Sequence, residues 1–522
     1  MMRALALVAL VACADRGPKY RPAGNPSPRD GGALRYATVS QVRTLDPTLE
    51  YDDVSHVPVH ALFDTLIDYD RDLQLVPRLA ERWTISPDGL VYTFTLRPHL
   101  HYSDGTPIVA SDIAYSFERA RKEPDSQFVA FLGDVKAIDA PGERELVIQL
   151  AQPNAGFLYV LTMPFTTPQR RAYVEAQGDQ LRRRPLATGP YMLAAWDEGR
   201  RLVLRKNPQY WDPQRAHLDE IVLVENVARD VQLMMFERGE LDAAERLTAP
   251  DLLWLGETPA WQPYIHRRVL MNAYGSRMNT RKKPFDDRRV RQALNYALDK
   301  QHTVKLLDGA AIAAHGMLVP GLLGRDESLP PYPHDPAKAR ALLAEAGYPH
   351  GFDVEYALQA DDEAERLAQS MQADLATVGV RVRLSRMSVA TLGEALGRAD
   401  GPPFAKVGWT ADSPDPSSFF DACFHSRALA SDYTTNWSFY ANPALDQLLD
   451  DARREPDTSK RAALYRRVER ILYDDAPWLW DYHQMMTEVT QPYVAGYEPH
   501  AIWLRDYTSA WLDVGPDGPV PR

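Results

Sequence analysis

The stretch Gly408-Trp409-Thr410-Ala411-Asp412-Ser413-Pro414-Asp415-Pro416 concentrates the side chains best suited to hold a ligand. The apolar run Phe404-Ala405-Lys406-Val407 ahead of it reads as a buried parallel strand. An indole and a carboxylate just past the carboxyl end of such a strand stand where open α/β sheets bind ligands. Asp412 is the candidate ligand group, and Trp409 either an aromatic wall or a buried core tryptophan. Asp415 suits the other role an acid has in such a loop, turn former or N-cap. Groups that could make or break covalent bonds are sparse. The 13 histidines are scattered without a His-Glu-x-x-His run, and the two cysteines, Cys13 and Cys423, are far apart, so no metal centre is expected. Neither a Gly-x-Ser-x-Gly elbow nor a phosphate-binding loop occurs. The chemistry within reach is non-covalent recognition.

A layered frame must position that loop, and the second half of the chain has the pattern of one. Residues 287–300 carry Val290, Leu294 and Leu298 on one helical stripe. Asp335-Pro336 is a cap followed by proline at the first helical position, and Gly347 closes that helix. Strands at 352–356, 380–384 and 404–407 alternate with helices at 364–378 and 389–396, an order that predicts parallel pairing through right-handed crossovers. Asn442-Pro443 and then Thr458 or Ser459 open two more helices, after which Trp478-Leu479-Trp480-Asp481-Tyr482 leads back out.

The first half is richer in strands. Leu90, Tyr92, Phe94 and Leu96 alternate with valine or threonine. Further strands are expected at 33–39, 145–150 and 220–224, with helices at 54–66 and from Ser111. Residues 189–196 and 200–205 form a hairpin across Asp197-Glu198-Gly199.

With 522 residues the chain divides into two or three domains. A net charge of −12 excludes a binder of nucleic acid, whose affinity rests on neutralising phosphates, and suits cationic or zwitterionic ligands. Arg3 followed by the small and apolar run 4–12 and by Cys13 resembles a lipoprotein signal, an ordinary signal peptide being the alternative. Nine apolar residues are too few to span a bilayer, which needs about 20 in a helix. Residues 14–30, rich in Pro, Gly and charge, read as a tether. Cys423 reads as a buried thiol.

Leu45-Asp46-Pro47, Leu79-Ala80-Glu81-Arg82-Trp83 with Tyr92-Thr93-Phe94, and Tyr102-Ser103-Asp104-Gly105-Thr106-Pro107 begin an ordered series of motifs. Thr188-Gly189-Pro190-Tyr191, Asn207-Pro208-Gln209-Tyr210-Trp211, the run from Pro284 to Ala293 and Gly408-Trp409-Thr410-Ala411-Asp412 continue it. Over nearly the whole chain this series resembles the family 5 extracellular solute-binding proteins of ABC importers, the dipeptide- and oligopeptide-binding proteins. The resemblance implies an α/β, three-domain periplasmic-binding-protein clamshell, two lobes joined by a hinge with an extra inserted domain. Residues 31–52, 185–270 and 488–522 would be domain I, 53–184 domain II, and 271–487 domain III, the second lobe.

The implied function is that of an exported, lipid-anchored monomeric receptor, not an enzyme. It would need no cofactor and would deliver peptides, oligopeptides rather than dipeptides, to permease and ATPase subunits. By the same resemblance Asp412 holds the ligand ammonium, since an ammonium buried without a partner is costly. Tyr274 stands at a pocket position before Asn279-Thr280, and Phe128 and Tyr51 near pocket positions of the other domains. Dipeptide binders fix the ligand carboxylate with an arginine within 356–363, where this chain has Ala360-Asp361-Asp362-Glu363. Arg277 would serve an anionic group or lie on the surface. His425 and His483 would line a metal-chelate cleft if the solute were a nickel chelate; an opine or an oligosaccharide is a further alternative, as is a sensory or scaffold protein or a secreted hydrolase.

Overall fold

The computed structural model describes residues 17–245, 247, 251, 255–256, 258–430 and 434–521. Cys13 and the signal-like segment lie outside them. Tyr20–Arg21 pairs with Val520–Pro521, and the amides of Gly24 and Asn25 each donate to the Asp513 carboxylate at 3.0 Å. The stretch expected to be a tether is thus bound to the C-terminal segment from Tyr20 onward.

One sheet organises the second half. Its strands run in the order Ala243–Ala244, Trp478–Thr490, Asn272–Met278, Phe404–Thr410, Asp353–Gln359, Arg381–Met387, with Ile265–Val269 and Ala311–Ala313 also paired to Trp478–Thr490. The expectation of a parallel sheet holds for only part of it. Phe404–Thr410 runs parallel to Asp353–Gln359 but antiparallel to Asn272–Met278 along its whole length. Alternation of strands and helices dictates only the pairs that crossover helices join. Asn272–Met278 and Trp478–Thr490 enter from segments outside that run, and antiparallel entry needs no crossover.

Helix ends follow short acidic caps. Asp287 accepts from the amide of Arg289 at 2.8 Å and opens Arg288–Ala297. The helix stops at Leu298, and Asp299 caps a second one, Lys300–Leu306, by accepting from Gln301 and His302. The apolar stripe runs on through Leu298, which hid this break. Asp457, rather than Thr458 or Ser459, caps Thr458–Asp475, because its carboxylate reaches two amides at 3.0 and 2.9 Å.

The large sheet separates two cores. Phe419, Phe420, Phe424, Trp478, Trp480 and Cys423 pack on one side; Phe285, Val290, Leu294, Leu343 and Leu375 pack on the other. A further core, with Tyr92, Phe94, Phe117, Ile148 and Phe165, is built on the antiparallel strands Ala80–Ile85, Val91–Leu96, Glu145–Leu150 and Val135–Gly142. Leu34, Tyr36, Leu62, Tyr191 and Leu223 centre another, on the sheet of Ala33–Ala37, Glu220–Val224, Arg201–Lys206 and Tyr191–Asp197. Each such side chain, fully buried, contributes roughly 1.5–3 kcal/mol. This mixed α/β arrangement is the multi-domain clamshell. Trp478–Thr490 passes unbroken from the core of Trp478 to that of Val489.

Candidate functional site

A cleft of about 850 Å³ opens where these parts meet. Tyr51 and His56 line it from one side, Phe128, Met163 and Pro164 from another, and Tyr274, Thr410, Asp412, Tyr482 and Gln484 from the large sheet. Strand alternation decides which residues of the sheet face it. Along Phe404–Thr410, Ala405, Val407 and Trp409 turn to the aromatic core, whereas Gly408 and Thr410 turn toward the cleft. Gly408 has no room for a side chain: a Cβ there would lie 2.4 Å from Cε1 of Tyr274, whose ring covers it. Tyr274 stacks on Tyr482 with centroids 5.0 Å apart and planes at 11°. The Lys406 ammonium stands 5.8 and 5.2 Å from these two rings, its pKa depressed by burial.

Asp412 lies just beyond the strand end, its amide donating to Ser418 Oγ at 3.1 Å. Its carboxylate accepts from the Tyr51 hydroxyl at 2.6 Å. Burial raises the acid above the ordinary carboxylate range, and the Tyr51 bond opposes that rise. The Tyr51 ring meets Phe128 edge-on at 5.6 Å, and Phe128 is backed by Phe165 at 4.9 Å. Asp412, Tyr51, Phe128 and Tyr274, four candidates scattered along the chain, therefore surround one space. Among the described residues, no basic side chain forms an ion pair with Asp412.

Trp409 does not line the cleft. Its indole N–H donates to the Ser418 carbonyl at 2.7 Å and its ring meets Trp437 edge-on, so it anchors the loop from the core side. It also lies within the strand rather than past its end. Asp415 is sealed beneath the loop, accepting from Arg461 at 2.5 and 2.9 Å and from the Ser417 amide at 2.9 Å. Arg277 is not a surface residue. It is 0% exposed and faces the aromatic core opposite Tyr274, with one bond to the Trp437 carbonyl, and burial lowers its pKa to about 10. Neither histidine lines the cleft: His425 packs against Asp446 and Asp450, and buried His483 bonds the Asn272 carbonyl. Among the described residues, no group of three or more His, Cys, Asp or Glu could hold a metal.

Several lining residues escaped the sequence patterns. Tyr482 follows a bulge at Asp481 that puts Trp480 in the core and Tyr482 in the cleft, where plain alternation would give them one face. Asp362, Glu363 and Arg366 line the cleft from the first turns of Asp362–Ala376, which Asp361 caps by accepting from the Ala364 amide at 2.8 Å. Acids in that turn suit the helix dipole. Arg229 and Trp503 had no sequence signal. His56 is bound to Glu50 at 3.0 Å; burial opposes its protonation, yet Glu50 and its neighbours raise its pKa.

The chain has relatives among known proteins. A model of the bacterial extracellular solute-binding proteins, family 5, matches residues 74–431. The glutathione-binding protein GsiB of Salmonella typhimurium is 30% identical over 451 residues, covering 85% of this chain and 87% of that one. Di/tripeptide-binding protein 2 of Pseudomonas aeruginosa is 29% identical over 486 residues, covering 87% and 90%. The periplasmic binding protein DppA of Helicobacter pylori, solved with the peptide STSA, superposes with a TM-score of 0.77 at 27% identity, covering 93% of this chain and 99% of that one. With this match spanning most of its length, and a cleft between packed lobes, the chain belongs to the family 5 bacterial extracellular solute-binding proteins.

Proposed function

We propose that this receptor captures short peptides by their α-ammonium and delivers them to the membrane subunits of an ABC importer. The observation that carries the reading is Asp412: a carboxylate half-buried in a cleft, without an ion-pair partner among the described residues, and bonded to the Tyr51 hydroxyl. A ligand ammonium completes it, since a buried acid without a counter-charge is unfavourable. The stacked pair Tyr274–Tyr482 and the ring of Phe128 supply apolar walls, and about 850 Å³ is at the upper end of small-ligand clefts. Peptide-binding relatives support the same reading.

Two acids, Asp362 and Glu363, against one cation, Arg366, at that wall make it a poor seat for a ligand carboxylate, so peptides longer than two residues fit better than dipeptides. Binding is non-covalent and needs no cofactor. Domain I would comprise 31–52, 185–270 and 488–522, domain II 53–184 and domain III 271–487, with closure about the strands that cross between the lobes. Cys13 would carry a lipid anchor, which fractionation of the full-length chain between membrane and soluble phases tests. Among the described residues no helix is long and apolar enough to cross a membrane.

Calorimetry with alanine peptides of two to five residues tests the function. Binding that is lost on N-acetylation supports it. Equal binding of acetylated and free peptides, or none of either, contradicts it.

A further inference from the structure

The contact that joins the cleft walls falls on the acid itself. Tyr51 precedes the helix Asp53–Leu62, whereas Asp412 lies just past the end of a strand of the large sheet, so the 2.6 Å bond between them spans the cleft. Tyr51 is not a loose side chain. Its ring rests edge-on against Phe128, and its neighbours on either side are fixed: Glu50 accepts from the Asp52 amide at 3.1 Å, and Asp52 caps the helix. Half of Tyr51 stays exposed to the cleft, so the phenol reaches the acid without closing it off. The Tyr51 bond is made to Oδ1 of Asp412.

Resting on the proposed capture of an ammonium, we propose that Tyr51 is a positioning and specificity-determining residue: its hydroxyl keeps Asp412 anionic and aimed inside the desolvated cleft, so that the site accepts a charged amine and rejects its neutral counterpart. A carboxylate removed from water protonates unless donors compensate, and a neutral acid no longer discriminates ammonium from amide. Among the described residues, the groups facing Asp412 are few. From the large-sheet side come its own backbone amide and Ser418, and from the opposite wall comes Tyr51 with Glu50 behind it. Burial, Asp412 and Glu50 all push the Tyr51 pKa up, so the phenol stays a donor across the physiological range. The bond to Tyr51 is thus the compensation that the opposite wall contributes.

The test is calorimetry of trialanine and N-acetyl-trialanine against the unaltered protein, Tyr51→Phe and Asp412→Asn between pH 5 and 8. In the unaltered protein trialanine affinity falls as pH drops through the raised Asp412 pKa. Removing the hydroxyl raises that pKa further. Tyr51→Phe is therefore expected to weaken trialanine most at the acid end of this range, to shift the midpoint of the loss to higher pH, and to leave the acetylated peptide unchanged. Unchanged affinity with an unchanged midpoint overturns the inference. Tighter binding also overturns it, because the phenol would then be competing with the ligand. If Asp412→Asn abolishes binding while Tyr51→Phe leaves both affinity and midpoint unchanged, only this inference fails; if neither peptide binds the unaltered protein, the capture of peptides fails with it. Tyr51→Phe keeps the ring against Phe128, so folding is not at stake.

Discussion

Asp412 and Asp415 stand in one loop and meet opposite fates. Asp415 lies under the loop, 1% exposed, with a guanidinium bound to both of its oxygens and a helix amide on one. Burial would raise its pKa, but Arg461 and the hydrogen bonds outweigh that and hold it below the ordinary range. Asp412 lies in the cleft with the Tyr51 phenol and a backbone amide but, among the described residues, no guanidinium, and burial wins. A carboxylate with all its partners inside the protein has nothing to offer a ligand. One left a partner short has a reason to bind one. The same contrast divides Gly408 from Trp409, neighbours whose side-chain directions point to the cleft and to the core.

Substitutions can break each half of this contrast separately. The largest effect is expected from Asp415→Ala, which strands Arg461 in the interior and should cost roughly 3–5 kcal/mol of stability, read from urea unfolding. Because the folded pKa of Asp415 lies below its unfolded value, its contribution is present above pH ~4 and lost as pH falls further. Asp412→Ala should do the converse. Stability should change by less than about 1 kcal/mol, while affinity for an amine-bearing peptide drops by about 3 kcal/mol, less than for a fully buried pair because the site is partly solvated. If Asp412→Ala destabilises the fold as much as Asp415→Ala, the two acids do not differ in kind.

Smaller effects sharpen the second contrast. Gly408→Ala drives a methyl into the Tyr274 ring and should displace it from its stack on Tyr482, weakening binding by about 1–2 kcal/mol. Trp409→Phe loses the bond to the Ser418 carbonyl and part of the ring packed against Trp437, about 1–2 kcal/mol of stability, with affinity nearly unchanged. A large affinity loss in Trp409→Phe would restore that indole to the cleft wall.

Much of the fold was legible in the chain. Hairpins, caps at Asn442 and Asp335, and period-2 strands such as Glu145–Leu150 are local, and local chemistry decides them. The errors share a cause: long-range neighbours. Nothing near Phe404–Thr410 states that Asn272–Met278 arrives antiparallel on one edge, so the sheet read as parallel. Nothing near Arg277 states that the strand at Trp478 pairs beside it and that the Trp437 carbonyl accepts its guanidinium. For Trp409 both a cleft wall and a core position were open, because the strand was taken to end at Val407; its three further residues turn the indole to the core. Of the cleft, Asp412, Tyr274, Phe128 and Tyr51 came forward through the resemblance, and the structure adds that the acid and Tyr51 are bonded to each other. Tyr482 could not be found by alternation because the bulge at Asp481 interrupts it.

The most direct measurement is a crystal structure of the protein grown with trialanine. The account predicts the peptide ammonium within about 3 Å of the Asp412 carboxylate, with the Tyr51 hydroxyl still bound to the same acid. A peptide seated with its amino end away from Asp412, or Asp412 turned out of the cleft, would contradict it.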